Sequence, residues 1–359
     1  MPASASATAC AWQAPAVATG CSRWRCGWRR GRCTWKRRQR MTEGLLRLCA
    51  VAVLVLLSAC GGDGPEEGTL RIGTNVWPGY EPLYLARDLA FYDATPVRLV
   101  EYSSASQVSR AFRNGVIDAA ALTLDEVLRL AQHDFEPCVV LVLDVSMGGD
   151  AILAKPAYTS LASLRGRRIG VESTALGAYV LSRALQLAGM DEADVHIVPL
   201  EVDEHERAFL DGRIDAVVTF EPVRSRLLAA GAVQVFDSRA IPGEVVDVLV
   251  VRRDALAAQP RAAASVVDGW YRALDFMQAQ RDEAMRRFSA RMRLSPAQTA
   301  RAFEGLDMPT RSENRRLLGD AAAVPATADR LMRLMRERGL LHHQVEVAPL
   351  FSCPGSPPG

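Results

Sequence analysis

Beyond residue 69 the apolar positions come in short runs bounded by small or polar residues, and stretches of helical period lie between them, so strands and helices alternate. One such unit occurs twice in outline. Ala208 to Pro222 reads AFLDGRIDAVVTFEP, and an earlier copy, AFRNGVIDAAALTLDE, runs from Ala111 to Glu126. In each copy a helix tail (Ala111-Phe112, Ala208-Phe209) meets a turn suited to a helix C-cap (Asn114-Gly115, Asp211-Gly212). Ile-Asp and a short apolar strand follow, and the strand closes on Thr123 and Asp125 in one copy and on Thr219 and Glu221 in the other. Upstream, LRIGT at Leu70 parallels RIGVES at Arg168, and about 44 to 45 residues separate first strand from Gly-x-Ile-Asp in both, enough for two βα units. The class is therefore α/β, with two similar parallel-sheet lobes. Ligands of such sheets bind beyond the carboxyl ends of the strands, where helix N-termini present backbone N–H groups.

Taken in order, a strand ends at Thr74, Trp77-Pro78-Gly79-Tyr80 forms a loop, and Pro82 stands in the first turn of a helix, where its missing N–H costs nothing. VRLVEYSS ends at Ser103-Ser104, with Ser106 as the expected N-cap of the next helix, and Thr123 or Asp125 caps another. Gly148-Gly149 marks a sharp turn into a segment crossing between lobes near Ala151 to Ala154, and a second crossing is expected near Val245 to Val251. On that reading residues 69–154 and 244–350 build one lobe and 155–243 the other. The pattern after residue 260 is helical: Arg261 to Gln280, Arg281 to Met292, a helix opened by Ser295-Pro296, and a last one from Thr327 to Arg338; the tail 351–359 reads as disordered.

Composition changes the picture mainly at the amino end. With 49% hydrophobic and 23% charged residues the 359-residue chain can bury a core in each lobe. The net charge is +2, yet residues 1–40 hold nine Lys or Arg and no acid, which leaves −7 for the rest. An acidic body argues against nucleic acid as partner, and the basic leader, lacking any apolar period, is expected not to fold; a nucleic-acid arm is the alternative reading. Met41 then opens a signal peptide over residues 41–59, whose ten-residue apolar run LCAVAVLVLL is too short to span a bilayer. It ends in Leu57-Ser58-Ala59-Cys60-Gly61, which resembles a bacterial lipobox; that resemblance implies lipid on Cys60 and a flexible tether over residues 60–68. Of the eight cysteines, Cys21, Cys26 and Cys33 have no usual zinc spacing, and only Cys138 and Cys353 lie in the body.

Several motifs in order are similar to those of the solute-binding proteins of ABC importers, in the group serving nitrate, sulfonate, taurine and the thiamine pyrimidine precursor. They are Trp77-Pro78-Gly79-Tyr80 with Pro82-Leu83-Tyr84, Asn114-Gly115 with Asp118, Asp144 with Gly148-Gly149-Asp150, Leu164-Arg165-Gly166 with Ile169-Gly170, and Phe220-Glu221-Pro222. The resemblance runs from about Leu70 to Gly305. It implies the two-lobe periplasmic binding protein fold of type II, with two crossover segments and a helical C-terminal region. It further implies a monomer that closes on a small-molecule solute, works with an ABC permease and ATPase, and needs no cofactor. A ligand-sensing lipoprotein serving a membrane signalling protein is the alternative. A few enzymes share the fold, including a thiamine-pyrimidine synthase, but the cysteine cluster and histidine of that family are absent, so catalysis is not expected.

Candidate ligand contacts follow from strand ends. Trp77 and Tyr80 offer flat aromatic surface, although Trp77 packing on Tyr80 at the rim explains them equally. Asp125, Asp150 and Glu221 are candidate acceptors for ligand N–H groups; Asp125 and Glu221 also stand where helix caps belong. Ser103, Ser104, Ser173 and Thr174 precede helices and could hold an oxyanion, with plain capping as the alternative. Thr123 and Phe220 complete the set. No histidine is placed at a strand-end loop: His133 and His205 fall in polar helical stretches, His196 opens a strand, and His342-His343 follow the last helix.

Overall fold

A computed structural model describes residues 68 to 355 except 93, 94, 134, 136, 320, 322 and 354. The basic leader, the signal peptide, Cys60 and the tether up to residue 67 lie outside the described residues. Two mixed sheets carry the fold. The first contains β1 (Leu70–Thr74), β2 (Val97–Glu101), β3 (Ala119–Thr123) and β4 (Pro137–Ser146). The second contains β5 (Asp150–Ala154), β6 (Arg168–Val171), β7 (His196–Pro199), β8 (Ala216–Phe220) and β9 (Val233–Asp237). The chain then returns to the first sheet with β10 (Val246–Arg252) and the short β11 (Leu306–Asp307). Strand orders are β11-β4-β10-β3-β1-β2 and β7-β6-β8-β5-β9. The two-lobe periplasmic binding protein architecture implied by the resemblance is therefore present.

The internal repeat has a structural cause beyond its apolar period. At the start of β1 the Arg71 N–H and Nε donate to Asp118 Oδ2 at 2.9 and 2.8 Å, and its second guanidinium nitrogen reaches the Gly115 carbonyl. At the start of β6 Arg168 makes the same set to Asp215, at 2.9 and 3.0 Å, and to the Gly212 carbonyl. Gly115 and Gly212 take positive φ of 66° and 72°, the left-handed turn that a side chain disfavours. Each lobe thus ties the start of its first strand to the Gly-x-Ile-Asp turn by one bidentate pair.

Side-chain alternation explains why strands with near-continuous apolar sequence form the sheet interior. In β10, Val248 and Val250 face one core with Leu128 and Leu331, while Leu249 and Val251 face another with Trp270 and Phe288. Such a strand is covered on both faces, here by helices that include Leu124–Ala131 and Pro260–Ala279.

Five expectations are corrected. The chain crosses between sheets at residues 147–149 and 238–245, not on residues 151–154 and 245–251: β5 pairs antiparallel with β8 and β9, and β10 with β3 and β4. Asp150–Ala154, expected in the first lobe, belongs to the second sheet, because it pairs residue by residue with β8 and β9. Ser104 rather than Ser106 is the N-cap of helix Ala105–Arg113, since Ser104 is extended (φ −154°) and its hydroxyl accepts from the Gln107 N–H at 3.2 Å. The last long helix starts at Val324, with Pro in its first turn, not at Thr327. Nor is the tail loose throughout: helix Ala348–Phe351 lies on β4 and Cys353 forms a disulfide with Cys138 in that strand. Among the described residues no helix is long and apolar enough to cross a membrane.

Candidate functional site

Parallel strands of both sheets end at one cavity between the lobes. Asn75 and Trp77 follow β1, Thr123 ends β3, Glu172 follows β6, and Thr219 and Phe220 end β8. β5 and β10 run antiparallel to their neighbours, so their first residues reach the same edge: Asp150 lies opposite Phe220 and Asp247 opposite Thr123 in the ladders. Register alone delivers those two carboxyls to the cleft.

Aromatic side chains join the lobes. Trp77 of the first lobe meets Phe220 of the second edge to face, with centroids 5.7 Å apart and planes at 86°. Trp77 is 4% exposed, and its indole N–H donates to Asp144 Oδ2 at 3.2 Å. Tyr80 O–H donates to Asp247 Oδ1 at 2.5 Å, and Asp144 stands opposite Asp247 in the β4–β10 ladder. Trp77, Tyr80, Thr123, Asp150 and Phe220, all candidates from the sequence, line the cavity together.

The remaining candidates lie elsewhere. Ser104 donates to Glu201 of the opposite lobe, and the hydroxyls of Ser106 and Thr174 meet across the gap at 2.6 Å. Ser103 accepts from the Gln107 side chain, at the surface. Ser173 is not among the cavity residues. Asp125 is buried behind the wall, accepting from the Thr123 hydroxyl at 2.7 Å. Glu221 is wholly buried and turned into its own helix, accepting from Ser225 N–H and O–H at 3.1 Å each and from Arg224 at 2.8 Å. Those contacts make it a helix cap, and it does not line the cavity.

Glu126, Glu172, His205 and Asp247 line the cavity without having been singled out from sequence. Glu126 Oε1 accepts from Leu176 N–H at 3.2 Å, the first residue of helix Leu176–Leu187 in the second lobe. Glu172, from the second lobe, accepts from Ser106 N–H at 2.7 Å, near the start of helix Ala105–Arg113 in the first. Each lobe thus caps a helix of the other, a reciprocal clasp favoured by the positive ends of both helix dipoles. His205, expected on a polar helix face, is 1% exposed, with Nδ1 3.2 Å from the Thr219 hydroxyl. Burial pushes its pKa down to about 4, so it is neutral at physiological pH. Burial likewise drives the acids upward: Asp150 to about 7, and Asp144 and Glu126 to about 8. Asp247 is raised well above its ordinary value by burial and by Asp144 beside it. No group of three or more His, Cys, Asp or Glu suited to a metal occurs among the described residues.

Residues 63–293 match the family model described as the NMT1-like family. A putative binding protein of Brucella abortus (strain 2308) is 26% identical over 145 residues, 38% of this chain and 44% of that protein. A putative aliphatic sulfonates-binding protein of Bacillus subtilis (strain 168) is 26% identical over 198 residues, 52% of this chain and 58% of its own length. The chain thus spans about half the length of these curated relatives. Among solved structures, the alkanesulfonate-binding protein from Xanthomonas axonopodis pv. citri bound to MOPS is similar with a TM-score of 0.69 and 20% identity, covering 80% of this chain and 99% of that one.

Proposed function

The chain belongs to the NMT1-like family, and from that premise we propose that it is an extracytoplasmic solute-binding protein: it closes two lobes on a small polar organic solute and delivers it to the permease and ATPase of an ABC importer. The observation that carries this reading is the cavity itself, built from strand ends of both lobes and bridged by Trp77 and Phe220. A solute held there contacts both lobes at once, so its binding energy favours the closed arrangement over the open one. The Cys138–Cys353 disulfide supports an oxidising compartment outside the cytoplasm.

Closure is testable through the Ser106–Thr174 contact, where the hydroxyl oxygens are 2.6 Å apart. A Ser106→Cys/Thr174→Cys variant, oxidised, locks the lobes together. A thermal-shift screen of sulfonates, amines, pyrimidines and nitrate first identifies a solute, since a ligand at 100 times its Kd adds about 2.7 kcal/mol of stability. Calorimetry with that solute should then show no uptake by the oxidised variant and parent-like affinity after reduction. Equal binding in both redox states would place the site outside the cleft.

Lipidation of Cys60, motivated by the Leu-Ser-Ala-Cys run, anchors the protein to the membrane in this reading. Cys60→Ala should move it from the membrane pellet to the soluble extracytoplasmic fraction. Unchanged fractionation, together with an unmodified mass for the parent's mature N-terminal peptide, would refute the anchor.

A further inference from the structure

We infer that the cavity takes a small organic cation, an ammonium or amidinium group whose N–H donors meet Asp150 and the carboxyls around it while its carbon frame lies against Trp77, Tyr80 and Phe220. This rests on the cleft being the solute site and names the chemistry of what enters it.

The lining is one-sided in charge. Glu126, Asp150, Glu172 and Asp247 face the cavity, with Asp144 beside Asp247, and none of the described lining residues is Lys or Arg. An anion here would meet four carboxyls and no lining Lys or Arg. Two of the N–H groups that a sulfonate or nitrate would want at helix starts are already committed: Glu126 accepts from Leu176 and Glu172 from Ser106. Binding an oxyanion at either place would mean displacing the protein's own carboxyl into a closed interior. Acceptors, by contrast, are in surplus. Asp150 Oδ2 is buried with no hydrogen-bond partner, as is Asp144 Oδ1 behind it, and these residues are 3% and 0% exposed. A buried acceptor left unpaired is unfavourable, and a ligand N–H relieves it. Aromatic faces beside the acids add attraction for a cation.

The charged groups around these carboxyls reinforce the sign. Asp125, Glu221 and Arg224 face Asp150, but Arg224 is engaged by Glu221 and Gln234. Asp144, Asp150 and Glu126 face Asp247, with the Tyr80 hydroxyl on it, and Asp307 faces Asp144. Asp125 and Glu172 face Glu126, and Arg129 stands beside Asp125. His205 on its helix is neutral. Burial among like charges therefore leaves these acids holding protons near neutrality, with Asp150 at about 7 and Glu126 at about 8. A cation binds the ionised carboxyl and expels the proton, so its affinity rises with pH through this range; an anion needs the protons and its affinity falls.

Two flat probes of similar size and opposite charge decide the matter: benzamidinium and benzenesulfonate, titrated by calorimetry in phosphate buffer at pH 6.0 and 8.5. Benzamidinium is expected to bind, with Kd lower by roughly tenfold at the higher pH, as one carboxyl of pKa about 7 requires. Asp150→Asn, checked for an intact melt, should weaken benzamidinium at least tenfold and flatten its pH dependence without weakening benzenesulfonate. Tighter binding of benzenesulfonate, no binding of benzamidinium at millimolar concentration, or indifference of benzamidinium to both pH and Asp150→Asn would each overturn the inference. An anionic solute that the oxidised Ser106→Cys/Thr174→Cys variant cannot take up would do so while leaving the solute-binding reading intact. A solute whose uptake ignores that lock would overturn both.

Discussion

Trp77→Ala is expected to cost the protein both its solute and a large part of its stability. The side chain is 4% exposed and bridges the lobes through Phe220 at 5.7 Å, while its N–H is the donor for Asp144. Truncating a buried tryptophan commonly costs about 3–5 kcal/mol through lost transfer energy and the cavity left behind. Here Asp144, fully buried, also loses its indole donor. Contact with Phe220 exists only while the lobes are together, so the lower figure, about 3 kcal/mol, is expected in denaturant titration of the solute-free protein. Solute affinity should fall roughly thirtyfold or more, which corresponds to about 2 kcal/mol. Trp77→Phe keeps a ring against Phe220 but not the donor, and should recover most of the affinity. A parent-like melt for Trp77→Ala would contradict the packing described here, and parent-like affinity would remove the residue from the site.

Cys353→Ser should destabilise the protein by about 3–5 kcal/mol. The disulfide joins positions 215 residues apart, fastening Cys353 to the start of β4, where Cys138 is fully buried. In the chain-entropy account a loop of that length gives up about 5 kcal/mol of unfolded-state freedom when closed, and measured removals of native disulfides run at about 2–5 kcal/mol. Melting temperature should drop by roughly 10 °C, at about 2–4 °C per kcal/mol for chains approaching this size. Reductant should lower the parent to the same temperature and leave Cys353→Ser unmoved. If thiol titration shows the parent oxidised and the melts nonetheless coincide, helix Ala348–Phe351 and not the disulfide holds the chain end.

The apolar period and the turn chemistry were enough to read the repeat, the alternation of strands and helices, and the class of fold. The two Gly-x-Ile-Asp turns each recur at one spacing from an Arg that opens a strand, and the pairs Arg71–Asp118 and Arg168–Asp215 form at that spacing. Trp77, Tyr80, Thr123 and Phe220 were legible because a parallel strand's carboxyl end is a local feature that points to where a cleft must be, whereas Asp150, at the start of antiparallel β5, stood out only through the Gly148-Gly149-Asp150 motif. Serine and threonine before a helix, however, look alike whether they face a ligand, a helix or a second lobe. Only the approach of the lobes turned Ser104, Ser106 and Thr174 into cross-lobe contacts.

Asp247 and Asp144 carried a faint signal, a lone acid inside an apolar strand run. Which edge of the sheet they reach depends on β10 running antiparallel to β3 and β4, and no local pattern states that. Glu126 and Glu172 were hidden for a similar reason, since each acts on a helix of the opposite lobe 50 or 66 residues away in sequence. Sequence period therefore determined each lobe by itself, because strand, helix and turn preferences act over a few residues. Sheet order, strand direction and lobe closure, which depend on contacts between distant segments, decided which carboxyls share one buried space and so the charge of the cavity.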